Sequence, residues 1–205
     1  MAENQEEVPP EVQEGAVGGE EEDELTPGYK PPKQVDLKTI QDLDADDEAL
    51  VKYKETLLGN TSDVLDEGGP NVMVKKMVFA SKDRDEIDTD LTGDLSILRK
   101  SPIVIKEGCQ YRIKIVFRVQ REIVSGLRYM QTTYRKGIKV DSNNFMVGSY
   151  GPKTEPHVYM TQLEDAPSGM ISRGHYTVKS KFTDDDKKIY LQWEWAFDIK
   201  KEWSE

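Results

Sequence analysis

Apolar and polar residues alternate along the second two thirds of the chain with the period of β-strands, and in the first third they do not. YRIKIVFRV places Tyr111, Ile113, Ile115, Phe117 and Val119 on one face, and LQWEWAFDIK does the same with Leu191, Trp193, Trp195, Phe197 and Ile199. GHYTVKSKF aligns Tyr176, Val178 and Phe182, with Ser180 as a polar break. NVMV opens a strand at Asn71 and IVIK forms a short apolar one from Ile103. Further strands are predicted near 129–140, 144–148 and 157–161. Turn residues punctuate them at Pro152–Lys153, Pro167–Gly169 and Asp184–Asp186. Six to nine short strands with little helix predict an all-β antiparallel sandwich over residues 68–205.

Upstream the pattern changes. Residues 1–24 carry ten acids, no base and no aromatic, too little apolar surface to offset chain entropy. TPGYKPPK (Thr26–Lys33) reads as an extended linker. Over about 36–58 the spacing turns helical: Leu37, Ile40 and Leu43, then Leu50, Tyr53 and Leu57. Two short helices joined by the turn Asp44–Asp47 are predicted, with Asp44 ahead of the second and Asp47 and Glu48 in its first turn. Their apolar stripes either dock on the chain's own sandwich or order against another protein; the pattern does not choose. Residues 1–67 thus form an acidic flexible arm.

Charge sharpens that division. The net charge is −11, with 20 acids against 5 bases in residues 1–67 and 19 against 23 in the rest. Such an arm repels nucleic-acid phosphate and suits a basic partner. No run approaches the roughly 18 apolar residues of a membrane span. The start MAENQEEVPP lacks the character of a secretion signal, Ala2 excludes myristoylation, and KEWSE carries no prenylation cysteine. One cysteine, Cys109, permits no intrachain disulfide, which fits a reducing, cytosolic compartment.

Catalytic and metal chemistry find little footing. His157 and His175 each stand without a ligand at metal spacing, and no phosphate loop or nucleophile elbow is present. Asp184, Asp185 and Asp186 form the densest acidic group outside the arm. It reads as a solvated hairpin turn, a calcium loop or a docking point for a cationic side chain, and the pattern favours the turn. The aromatics on the strand faces either fill the core or line an apolar cavity. No enzyme, cofactor or metal is expected.

Several segments then fall in one order: YKPP from Tyr29, LDADDE from Leu43, KYK from Lys52, LLG from Leu57, DLTGDL from Asp90, KEG from Lys106, REIVSGL from Arg121, TYRKG from Thr133, MVGSYGP from Met146, FTDDDK from Phe182 and WEW from Trp193. From about Tyr29 to Trp203 the chain resembles the Rho GDP-dissociation inhibitor family. The resemblance implies an immunoglobulin-like β-sandwich behind a flexible helical arm, in a monomer that pairs one-to-one with prenylated Rho-family GTPases (Rho, Rac and related). It implies slowed nucleotide release and extraction of the GTPase from membranes into the cytosol, with only transient membrane contact. By the same resemblance Asp47, Tyr53, Asp185 and Asp186 would meet the GTPase switches, which revises the turn reading of the aspartate run. Leu57, Leu58, Phe79, Ile103, Tyr111, Ile123, Val178 and Trp195 would hold the isoprenoid lipid, and Asp141, Glu164 and Asp165 would face the basic tail that precedes it. The chain departs from the family pattern at Ser81–Thr89, which lacks the usual Ala-Pro-Gly-Pro turn. Pro102 and His175 replace serines, His157 replaces a frequent tyrosine, and Ile103 replaces a larger aromatic.

Overall fold

The computed structural model describes residues 47–52 and 68–203. Residues 48–52 form a helical turn, α1. The rest is β: β1 (Val72–Ser81), β2 (Arg84–Asp90), β3 (Ile103–Lys106), β4 (Gln110–Val119), β5 (Val124–Arg135), β6 (Ile138–Tyr150), β7 (His157–Met160), β8 (Glu164–Asp165), β9 (Gly174–Thr183) and β10 (Ile189–Lys200). Two sheets form the sandwich. One runs β2-β1-β4-β7 with β8 also on β4, and the other runs β3-β10-β9-β5-β6.

The alternating strands of the sequence become the facing walls of the core. Ile113, Ile115, Phe117 and Val119 of β4 are buried, and so are Trp193, Trp195, Phe197 and Ile199 of β10. In β1 the alternation slips: Val72 and Val74 face inward, then Met77 and Phe79. A register shift against β4 between Val74 and Lys76 accommodates the extra residue, as a β-bulge does, and keeps both apolar pairs on the core side. Ser180, the polar break in β9, is fully buried yet satisfied. It accepts from Trp195 Nε1 at 3.0 Å and lies 3.1 Å from the Tyr129 hydroxyl, which itself donates to Gln131 Oε1 at 2.9 Å. Since Tyr129 has one hydroxyl proton, Ser180 donates to it, and the four side chains form one directional chain.

Four expectations change. The run 129–140 is two strands, split by a two-residue hairpin in which Lys136 and Gly137 adopt φ of 49° and 82°, the left-handed pair such turns require. The segment Ser81–Thr89 contributes a strand rather than a loop: β2 pairs with β1 through Phe79–Ile87 and Ser81–Arg84, and ion pairs Lys76–Asp88 and Lys114–Glu86 tie its charged face down. β3 runs parallel to β10, so the second sheet is mixed. Asp47, expected inside the first turn, instead caps α1: its Oδ1 accepts from the Ala49 and Leu50 amides at 2.9 and 3.2 Å. Asp44, Tyr53, Leu57 and Leu58 lie outside the described residues.

Candidate partner-binding site

Five of the candidate lipid-holding residues, Phe79, Ile103, Tyr111, Val178 and Trp195, occupy the two walls of the core. Trp195 and Val178 are register partners across β10 and β9, and Ile103 pairs with Phe197 across β3 and β10. On the facing sheet Phe79 stacks on Tyr111 with ring centroids 5.2 Å apart. Phe79, Val178 and Trp195 are buried, while Ile103 and Tyr111 are partly buried and pack against the same apolar cluster. Ile123 stands apart, in the connection beyond the far end of β4 from Tyr111. A surface hollow lined by Lys82, Asp83, Arg84, Asp85 and Trp203, largely polar, adjoins the Phe79–Tyr111 wall, since Trp203 meets Phe79 edge-on with ring centroids 6.4 Å apart.

An acidic set adjoins this apolar cluster. The Tyr111 hydroxyl donates to Glu164 Oε2 at 3.0 Å, joining the aromatic wall to β8. Burial and the nearby Asp141 raise the Glu164 carboxyl above the ordinary glutamate range, against the lowering effect of the Tyr111 hydrogen bond. Asp141 belongs to β6 of the other sheet and accepts from Asn143 Nδ2 at 2.8 Å. The two sheets thus bring Asp141 and Glu164 together, with the exposed Asp165 following in β8. Glu164 and Asp141 thus stand beside the Tyr111 edge, while Asp165, next along β8, alternates to the opposite side of the strand.

The run Asp184–Asp186 divides its labour. Asp184 is buried, accepting from the Lys188 amide at 2.9 Å and from the Tyr190 hydroxyl at 2.6 Å, so it closes the β9–β10 turn. Both its oxygens are occupied by its own chain, and the run does not converge as a calcium loop must. Asp185 and Asp186 are exposed. Asp185 holds Arg128 Nε and Nη2 at 3.1 Å through one oxygen. A Cβ placed on Gly126 would sit 1.8 Å from the other oxygen, so the carboxylate lies directly over that glycine. The strand pattern does not mark Arg128 and Gly126 as site residues. Their only sequence signal is their place in REIVSGL and just after it, and nothing there forecasts a partner 57 residues away.

The remaining candidates are structural. His157 stacks on Phe117 with Nε2 2.9 Å from the Gly151 carbonyl, and burial lowers its pKa. His175 Nδ1 lies 2.8 Å from Asp198 Oδ1. Cys109 is buried, and burial raises its thiol pKa. No helix among the described residues is long and apolar enough to cross a membrane.

A family model described as RHO protein GDP dissociation inhibitor matches residues 15–202. The Rho GDP-dissociation inhibitor 1 of Rattus norvegicus is 53% identical over 186 residues, spanning 90% of this chain and 91% of that protein. Its Homo sapiens counterpart is 52% identical over the same shares. Rho GDP-dissociation inhibitor 3 of Homo sapiens is 45% identical over 184 residues, 89% of this chain and 82% of that one.

Proposed function

Because the chain belongs to the Rho GDP-dissociation inhibitor family, we propose that it binds the prenylated forms of Rho-family GTPases, withdraws them from membranes and carries them in the cytosol as a one-to-one complex of a monomer. It is a regulator of Rho proteins that inhibits GDP dissociation, and not an enzyme. The observation that carries the lipid reading is the meeting of the Phe79–Tyr111 wall with Glu164 and Asp141. A prenylated tail offers the two chemistries this edge accepts: basic residues for the carboxylates and an isoprenoid for the apolar interior. Since Phe79, Val178 and Trp195 sit inside the apolar cluster, the lipid reaches them by parting the two sheets at that edge. Burial of up to about 0.8 kcal/mol per CH₂ offsets the hydrophobic stabilisation that the isoprenoid gives up on leaving the bilayer.

The work divides between residues 1–67, a regulatory arm, and 68–205, the lipid-holding sandwich. Asp47 and Tyr53 of the arm, with Asp185 and Asp186 at the far end of β9, engage the switches and restrict the motion that nucleotide release needs. Leu57 and Leu58 close the lipid site. Asp141, Glu164 and Asp165 take the basic tail. Asp185 already holds Arg128, so a partner cation must share or replace that ion pair.

The test is to incubate the chain with vesicles bearing geranylgeranylated Rac and to sediment the vesicles. GTPase should move to the supernatant in proportion to added chain, and unprenylated Rac should give a weaker complex. Retention of the prenylated form in the pellet at saturating chain would sink the reading.

A further inference from the structure

The β8–β9 connection is built in an unusual way for a solvated loop. Gly169–Ser172 is a tight turn closed by the Ser172 amide donating to the Gly169 carbonyl at 3.0 Å. Its two central residues, where small or polar types normally stand, are Met170 and Ile171, 80% and 86% exposed. The turn is anchored on every side. Glu107 accepts from the Gly169 amide at 3.0 Å and from Arg173 Nε and Nη2 at 2.9 and 2.7 Å, and the Tyr176 hydroxyl donates to the Ser172 carbonyl at 2.7 Å. The apolar pair is therefore held outward by a framework.

A second apolar tip stands beside it. Arg135 Nη2 donates to the Arg173 carbonyl at 2.8 Å, fastening the β5–β6 hairpin to this loop. That hairpin presents Ile138, 70% exposed, between Lys136 and Lys139, and Val140, 52% exposed, just after Lys139. The end of β10 also arrives here, since Ile199 pairs with Gly174, and Lys200 follows it. Among the described residues, Lys136, Lys139 and Lys200 have no carboxylate partner, whereas Glu107 and Glu202 at this end are neutralised by Arg173 and Lys106.

Apolar side chains on convex tips, ringed by unpaired ammonium groups, match the boundary between anionic headgroups and acyl chains. We infer that this end of the sandwich, led by Met170 and Ile171 with Ile138 alongside, docks on an anionic lipid surface. A protein partner would ask for a flatter or concave face with a buried centre. Tyr111 and Glu164 flank the same end of the first sheet, because Gly108 donates to the Ala166 carbonyl and Tyr111 pairs with Glu164 at the start of β4. Docking by the tips thus brings the proposed lipid entrance near the bilayer, with Lys136, Lys139 and Lys200 favouring the approach and the carboxylates Asp141, Glu164 and Asp165 opposing it. This functional consequence rests on the carrier reading above; the docking itself does not.

The experiment keeps the two apart. In the full-length Cys109→Ala chain, a polarity-sensitive fluorophore is attached at Met170→Cys, or, as a control at the other end of the sandwich, at Met146→Cys. Vesicles of phosphatidylcholine with phosphatidylserine are added without any GTPase. The Met170 label should shift to the blue and the Met146 label should not. Replacing Lys136 and Lys139 by Glu should raise the lipid concentration needed for half the response by more than about tenfold. Equal responses at the two positions, or none at Met170, would overturn the inference whatever the chain does to GTPases. In a second arm, Met170→Ser with Ile171→Ser should slow extraction of geranylgeranylated Rac from such vesicles about tenfold, with inhibition of nucleotide release from soluble Rac unchanged. A parallel loss of that inhibition would make the turn a protein contact and overturn the inference. A wild-type chain that extracts nothing while its Met170 label shifts would overturn the carrier reading and leave the docking intact.

Discussion

Asp185 and Gly126 show how one position constrains another with no sequence proximity. Gly126 has φ of 63°, where a side chain is strained, and a Cβ there would collide with the Asp185 carboxylate. Gly126→Ala should therefore displace Asp185 from Arg128. Affinity for soluble GTPase should fall, and in a double-mutant cycle Asp185→Ala should cost little more in the Gly126→Ala background. Full additivity of the two losses would show that Asp185 does not act through this position. His157 supplies a second case. Its folded pKa is depressed by burial below the ordinary value of 6.5, so the unfolded chain takes up its proton first as pH falls. Stability gained from the neutral ring is present above pH 6.5 and is lost as pH drops through the folded value. Urea midpoints of the His157→Gln chain should show a shallower decline below pH 6.5 than those of the wild type.

The first turn of helix α1 is held by Asp47. The cap and the charge can be separated. Asp47→Ala removes both, at about 1 kcal/mol of helix stability, while Asp47→Ser keeps a capping oxygen. If the carboxylate itself meets the GTPase, both variants should lose affinity by isothermal titration. If only the cap matters, the serine variant should bind as the wild type does. Neither should move the melting temperature of the sandwich. The β5–β6 hairpin gives the contrasting lesson: alternation suggests a single strand over 129–140, and Lys136–Gly137 turns it back on itself. Gly137 is the available signal. Lys136, at a positive φ uncommon for its type, conceals the turn.

Across the molecule, the two candidate binding regions lie toward opposite ends of β9, about 30 Å along a ten-residue strand. Asp185 and Asp186 follow its last residue, and Asp141 lies toward its first half, paired with Thr133, which in turn pairs with Val178. A partner that engages both must reach along the sandwich, which suits a folded GTPase with an extended lipidated tail. Deleting residues 1–59 should then weaken inhibition of nucleotide release by at least tenfold, while the melting temperature of the remainder falls by only a few degrees. Calorimetry and nucleotide-release assays on the same preparation check both halves. A large fall in melting temperature would place the arm in the core.

The chain alone fixed the β-sandwich, because strand alternation is a local, period-two property that each segment carries by itself. It also fixed the acidic character of the first third and, through MVGSYGP and FTDDDK, the family. Pairings between distant residues required the folded chain: Arg128 under Asp185, Tyr111 against Glu164, the buried Ser180 between Trp195 and Tyr129, and Arg135 joining two apolar tips. Each depends on register and bulges that set which strands face each other, and a β-sheet makes those choices between segments far apart in sequence, where local pattern carries no information.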